Sequence, residues 1–358
     1  GLLSTAQNNT AVTAMMLPVV VALAKKTKLP AAVMIALAWG ATFGGMATPV
    51  GTAPNFIGYA AMKKIDPSVN FLMWLKVGMP VWIGTTLIGW GVLALAAKWP
   101  RISGMVARRE DDRRDSRWID PMVVTDVGPE LASRQVDVEN SREARRWVAG
   151  GFAVAVLLWL MPGIAISYYG PDHAVAMWFQ HYLPESLVPV AVALVLFFVR
   201  VGGQRRPILD RHDFQALDWD TLFLIAGGLS LGKMLEASGA ANALAAAVTG
   251  SKMHPGVLMF ALAGATVLLS ELTSNTATAA LMVPIAGSLA TPLDMSPVQA
   301  VWLVALAASM GFALPVSTPP NALVYGTRLV PLRSMIVTGL ALDVLATIWL
   351  VCCVMWWA

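Results

Sequence analysis

The chain of 358 residues is 57% apolar and only 13% charged, with a mean hydropathy of +0.65. A soluble domain of this length needs far more charge to cover its surface, so the composition excludes a water-soluble globular protein and points to one solvated by lipid. The net charge of +4 comes from basic residues set between apolar runs. That distribution encodes membrane topology, and no nucleic-acid partner is expected.

In chain order, the sequence opens at Gly1 without Met, signal peptide or charged leader, and is polar from Ser4 to Thr10. Asn8-Asn9-Thr10 then starts an apolar helical run that ends at Lys25, Lys26 and Lys28. A second polar island, Thr48-Pro49-Val50-Gly51-Thr52-Ala53-Pro54-Asn55, interrupts the next run, and residues 81–97 form a spanning stretch. Residues 101–146 are the one long hydrophilic segment, with ten Arg against ten acids, and read as a solvated linker. Residues 148–166 and 187–199 are again apolar. Two apolar arms, 258–271 and 277–290, flank Ser274-Asn275-Thr276, and a broken segment follows at Pro315-Val316-Ser317-Thr318-Pro319-Pro320-Asn321. The chain ends in an apolar run over 335–357. These runs match the length needed to cross a hydrocarbon core of about 30 Å.

The polar islands repeat. At a constant offset of 266 residues, Ser4 falls on Ser270, Asn9 on Asn275, Thr10 on Thr276 and Pro18 on Pro284. At the same offset Gly45 falls on Gly311, Pro49 on Pro315, Thr52 on Thr318, Pro54 on Pro320, Asn55 on Asn321 and Tyr59 on Tyr325. Shared Ala and Leu arise by chance in so biased a composition, but shared Asn, Pro and Thr at one offset do not. If the two copies are equally complete, about 120 further residues are expected before Gly1.

Basic residues orient the copies. Nineteen Lys and Arg lie in the turn at 25–28, the segment 101–146, the cluster 200–211 and the pair Arg328 and Arg333, against five in the alternate connections. By the positive-inside rule the first island is approached from the cytoplasm and the second from outside. The expected fold class is an all-α polytopic membrane protein with an inverted-topology repeat, two re-entrant hairpins and two broken helices. The expected organisation is the end of the first repeat over 1–100, a cytoplasmic linker over 101–146 and a second repeat over 147–358. Within the second repeat lie scaffold spans, an outer hairpin at 256–291, a broken helix at 298–328 and a last span at 335–357.

Helix starts carry free N–H groups and a positive dipole end, so two triplet-bearing tips that meet can grip two anionic groups of one ligand. Broken helices free carbonyl oxygens for a hard cation such as Na⁺. Taken singly, a Ser, Asn or Thr before a helix is commonly only a cap, and a proline only a kink. Matched register across two copies argues for more.

On these residues the chain resembles the divalent anion/sodium symporter family, whose mark is a Ser-Asn-Thr triplet at each of two hairpin tips. Each triplet is followed by a broken helix with a Thr-Pro-Pro-Asn element. The second copy matches in full, at Ser274-Asn275-Thr276 and Thr318-Pro319-Pro320-Asn321. The first departs at Asn8, where Ser is usual, and at Ala53, in place of the first proline. The resemblance implies substrate contacts from Asn8, Asn9, Thr10, Ser274, Asn275 and Thr276, with Thr52, Pro54, Thr318 and Pro320 lining the same cavity. It implies one Na⁺ near Ser4, Asn9 and Gly51 and another near Ser270, Asn275 and Ser317. It also implies an elevator-type homodimer in the bacterial cytoplasmic membrane that carries a small di- or tricarboxylate with sodium and uses no organic cofactor. Exchange without sodium, or carriage of sulfate or another anion, stands beside that reading.

An enzyme reading rests on Asp111-Asp112-Arg113-Arg114-Asp115, which has the Asp-Asp-x-x-Asp spacing of Mg²⁺-dependent prenyl transfer. Its place among arginines in a polar segment, and the unexplained repeat, weigh against it. Two acids stand apart from the motifs: Asp343 within the last span and Glu271 beside the second tip. An intramembrane acid is a functional candidate by default. The four His show no metal-ligand spacing, and the adjacent Cys352 and Cys353 form no ordinary structural disulfide.

Overall fold

The computed structural model describes residues 1–5, 7–98, 142–170, 172–184, 187–201, 206–210, scattered positions over 213–246, 254–290 and 295–356. The Asp111–Asp115 motif lies outside the described residues. The described residues are helical apart from connections and a two-residue antiparallel ladder, β1 (Arg200–Val201) with β2 (Arg206–Pro207).

A short 3-10 turn, Leu2–Thr5, precedes α1 (Asn9–Ala24), α2 (Pro30–Met46), α3 (Ala53–Ile65) and α4 (Phe71–Lys98). Then come α5 (Arg142–Tyr169), α6 (Ala174–Tyr182) and α7 (Leu187–Phe198), followed by α8 (Pro255–Leu272), α9 (Asn275–Leu289), α10 (Pro297–Ala308), α11 (Pro319–Gly326) and α12 (Leu332–Trp356). Helices α4, α5 and α12 are long and apolar enough to cross a membrane, so the chain is an integral membrane protein. Helices α1 and α9, at 16 and 15 residues, are shorter than the roughly 20 a full crossing takes.

Local chemistry sets these boundaries. Pro stands in the first turn of α2, α3, α8, α10 and α11, where its missing N–H costs nothing. Ser296 and Gln299 form a reciprocal capping box on α10, and the His254 ring nitrogen accepts from Gly256 N–H at the start of α8. His173 does the same for Val175 at α6. The large side chains left exposed, among them Leu87, Trp90, Leu95, Val344, Ile348 and Trp356, form the apolar surface that a bilayer solvates.

The helices fall into two compact units. In one, α5 packs on α6 and α7. The other holds α1–α3, most of α4, and α8–α12, and its packing repeats with the sequence. Helix α1 lies on α2 as α9 lies on α10. Helix α3 packs on α9 and α10 of the opposite copy, while α11 packs on α1 and α2. Each broken helix therefore sends its second half across to the other repeat.

That crossing has no space for side chains. A Cβ on Gly58 of α3 would lie 2.4 Å from the Ala305 Cβ of α10. Trp39, Phe43 and Phe312 form an aromatic cluster in which Phe312 is edge-on to the other two, and Trp39 Nε1 donates to the Phe312 carbonyl at 3.2 Å. The core is thus shared by both repeats, with α10 almost wholly buried between them.

Candidate cation and anion site

The candidate site lies where α2 and α10 stop. Residues 47–52 and 309–318 are non-helical, the first half-buried and the second mostly buried, and α3 and α11 restart beyond them. Buried irregular backbone must satisfy its own polar groups, and a single side chain does much of this in each copy. Asn55 Nδ2 donates to the Gly45 carbonyl at 2.9 Å and the Thr48 carbonyl at 2.8 Å. Asn321 Nδ2 donates to the equivalent carbonyls of Gly311 at 3.1 Å and Leu314 at 3.0 Å.

Against each break sits a triplet-bearing helix tip, the start of α1 or of α9. In the first copy, Ser4 Oγ donates to Asn9 Oδ1, and the Asn9 amide lies flat on Gly45, where a Cβ would come within 2.5 Å of Oδ1. Gly51 closes on the same glycine, since its own Cβ would lie 2.5 Å from the Gly45 carbonyl oxygen. In the second copy, Ser270 Oγ lies 2.7 Å from both Asn275 Oδ1 and the Ala308 carbonyl, and its one proton is shared between them. A Cβ on Gly311 would meet Ser317 Oγ at 3.1 Å and Asn275 Oδ1 at 3.4 Å. Each cradle therefore gathers a serine, an asparagine and the residue at position 51 or 317 around one glycine. Side-chain and carbonyl oxygens are the donor set that hard monovalent cations take.

The tips also cap their helices. Asn8 Oδ1 accepts from Thr10 N–H at 2.8 Å and Ser274 Oγ from Ala277 N–H at 3.1 Å. Asn8 and Ser274 are exposed, and Thr10 and Thr276 partly so. The capping reading and the binding reading are therefore compatible at these positions.

A family model for citrate transporters matches residues 1–308 and 257–358, which together take in the whole chain.

The chain belongs to the citrate transporter family.

This agrees with the resemblance drawn from the paired triplets, and it is a family of carriers rather than enzymes. The chain is also similar to the sodium-dependent dicarboxylate transporters SdcS of Staphylococcus saprophyticus and Staphylococcus aureus. It is 24% identical to each over 367 aligned positions, which cover 97% of this chain and 65% of the relative. It thus spans a little under two thirds of the length of those relatives.

In this citrate transporter family member the two cradles are alike but not equal. Ser317 Oγ donates to the Gly311 carbonyl at 2.9 Å, whereas Gly51 offers backbone only. Asn55 Oδ1 accepts from Ser309 Oγ of the other repeat at 3.3 Å, while the buried Asn321 Oδ1 has no partner among the described residues. Thr318 caps α11 by accepting from Asn321 N–H at 3.3 Å, but Thr52 makes no such bond at α3. Pro54 and Pro320 are buried in the first turns of those helices.

Sequence reasoning assigned no role to Gly45, Gly311, Asn55 or Asn321, although all four were in the repeat matches. Their pairing at one offset was the available signal. Among the described residues no group of three or more His, Cys, Asp and Glu is placed to hold a metal ion.

Proposed function

We propose that the chain belongs to a secondary carrier that moves a small di- or tricarboxylate with sodium across the bacterial cytoplasmic membrane. The observation that carries this reading is the duplicated cradle. Ser4, Asn9 and Gly51 around Gly45, and Ser270, Asn275 and Ser317 around Gly311, share a serine hydroxyl paired to an asparagine oxygen at the starts of α1 and α9. Each holds one Na⁺ on side-chain and carbonyl oxygens, with no fixed negative charge in the cradle itself. The helix starts above, with Asn8, Asn9 and Thr10 on one side and Ser274, Asn275 and Thr276 on the other, take one carboxylate each. Thr52, Pro54, Thr318 and Pro320 line the space between them.

In this reading the two copies are inverted, and α1 and α9 are second arms of re-entrant hairpins. Their lengths of 16 and 15 residues support that. The segment 101–146 is a cytoplasmic linker, and the carrier is a homodimer whose transport unit moves against a scaffold. The similarity to sodium-dependent dicarboxylate transporters supports both the cation and the substrate class.

The test is uptake of radiolabelled succinate by the full-length protein in proteoliposomes, with and without an inward Na⁺ gradient. Sodium-driven uptake that Asn275→Ala abolishes is the expected result. Uptake driven only by internal dicarboxylate would make the protein an exchanger. No uptake of folded protein in either condition would overturn the dicarboxylate assignment.

A further inference from the structure

Two acids are buried beside the second cradle, and the repeat gives the first cradle nothing like them. Glu271 is the last but one residue of α8, and Asp343 lies in the middle of α12. At the repeat offset their counterparts are Thr5 and Val77. Both acids are buried, and α8 and α10, which pack on α12, carry no Lys or Arg, while α4 meets α12 at Trp349 through Pro80 and Gly84. Burying an unpaired carboxylate costs several kcal/mol unless strong hydrogen bonds offset it.

Three backbone hydrogen bonds are present, and they go to one place. Glu271 Oε1 accepts from Ala313 N–H at 2.7 Å, and Oε2 from Leu314 N–H at 2.8 Å. Asp343 Oδ1 accepts from Phe312 N–H at 3.3 Å. Three consecutive backbone donors of the broken segment are thus held by two carboxyl groups from two different helices. Helix α12 reaches this segment because Gly339, one turn before Asp343 on the same face, lets the backbones touch. A Cβ at Gly339 would lie 2.2 Å from Ala313 Cα.

The carbonyls flanking these donors are those of Gly311 and Leu314, the two that Asn321 holds from the other side. We propose that Glu271 and Asp343 are positioning residues of the second cradle. By clamping the N–H groups of Phe312, Ala313 and Leu314, they set the direction of the Gly311 carbonyl, around which Ser270, Asn275 and Ser317 gather. This rests on the sodium-carrier reading above and deepens it: the second cation site is braced by two buried carboxyl groups and the first is not. In the first copy the same pair of positions is joined the opposite way, with Thr48 Oγ1 donating to the Thr5 carbonyl at 2.7 Å. That bond is neutral and involves no break-segment N–H.

The remaining oxygen, Asp343 Oδ2, is buried without a partner among the described residues and lies beside the Glu271 carboxyl. An amide at 343 keeps an acceptor for Phe312 and places a donor toward Glu271. An amide at 271 turns one acceptor into a donor facing a backbone N–H. The two conservative changes are therefore unequal: Asp343→Asn is tolerated and Glu271→Gln is not.

The experiment uses the full-length protein in lipid, with two readouts. Hydrogen–deuterium exchange is followed at peptides covering 309–318, and sodium half-saturation of succinate uptake is measured in proteoliposomes. Protection of 312–314 is expected in wild type and Asp343→Asn, and its loss in Asp343→Ala and Glu271→Gln. Half-saturation for sodium stays close to wild type in Asp343→Asn and rises about tenfold in the other two, the scale seen when groups that orient cation ligands are removed. The paired change Thr5→Ala at the first copy leaves exchange at 312–314 unchanged.

Wild-type peptides that exchange freely would overturn the clamp. So would Asp343→Asn behaving like Asp343→Ala, because the carboxylate would then serve the cation itself. Loss of protection without any shift in sodium dependence would leave Glu271 and Asp343 as fold residues only and overturn the positioning role. If wild-type uptake ignores sodium while protection follows the predicted order, the carrier reading fails and the clamp stands.

Discussion

Asn55 and Asn321 make the same pair of bonds in opposite repeats, each amide bridging the carbonyls ten and seven residues before it. Both side chains are fully buried. Each tethers the start of the second half-helix to the end of the first, across a stretch with no helical hydrogen bonds of its own. Replacing either by Asp removes the donors; the Gly45 carbonyl then loses its bond outright, at about 1–3 kcal/mol, while Thr48 keeps the Gly51 N–H, Gly311 keeps Ser317 Oγ and Leu314 keeps the Ser317 N–H. Asn55→Asp and Asn321→Asp are expected to lower the thermal unfolding midpoint in detergent. Asn55→Asp falls further, because Asn55 also accepts from Ser309 of the other repeat.

Gly45 and Gly311 hold equivalent places but differ in clearance. A methyl at Gly45 meets the Asn9 side chain at 2.5 Å, whereas at Gly311 the nearest atom is Ser317 Oγ at 3.1 Å. Gly45→Ala is expected to displace Asn9 and abolish sodium-dependent uptake. Gly311→Ala asks only a few tenths of an ångström of Ser317 and is expected to weaken sodium affinity without abolishing transport. Equal effects in a sodium titration of uptake would count against the cradle geometry.

The cradles do not accept each other's third member. Ser317→Gly removes a hydroxyl that donates to the Gly311 carbonyl at 2.9 Å, and costs about 1 kcal/mol with the fold intact. The reverse change, Gly51→Ser, puts a Cβ 2.5 Å from the Gly45 carbonyl oxygen and 2.9 Å from its Cα, both backbone atoms that cannot step aside. Ser317→Gly is expected to fold and bind sodium more weakly. Gly51→Ser is expected to lose folded protein, as read by monodispersity on size-exclusion chromatography.

The crossing of α3 over α10 depends on Gly58. A valine there would force Ala305 and the buried helix behind it to move, which costs on the order of 1–3 kcal/mol or more in a packed interior. Gly58→Val is expected to lower the unfolding midpoint more than any change of similar size on the exposed face of α3, such as Phe56→Ala.

Phe312 packs edge-on against Phe43 at 5.2 Å and against Trp39 at 6.2 Å. Truncation to Ala is expected to cost about 3–5 kcal/mol. It also frees the segment on which the second cradle is built, so stability and sodium affinity fall together in the same thermal and uptake assays.

Composition, hydropathy and the 266-residue offset determined that this is a helical membrane protein built from two copies of one pattern. That much was legible because lipid solvation demands long apolar runs, and because polar residues stand out against them. The same contrast exposed the tips at Asn9 and Asn275 and the breaks before Asn55 and Asn321. The tertiary structure alone decided what those residues touch. Nothing in the chain says that α3 lies on α9 and α10 while α11 lies on α1 and α2, because packing between repeats depends on small residues such as Gly58 that look like any other glycine. Nor did the sequence show that Asn55 and Asn321 bridge broken backbone, or that Glu271 and Asp343 converge on the amides of 312–314. The groups that all four hold in the broken segments are main-chain groups, which every residue carries and which leave no mark in a sequence.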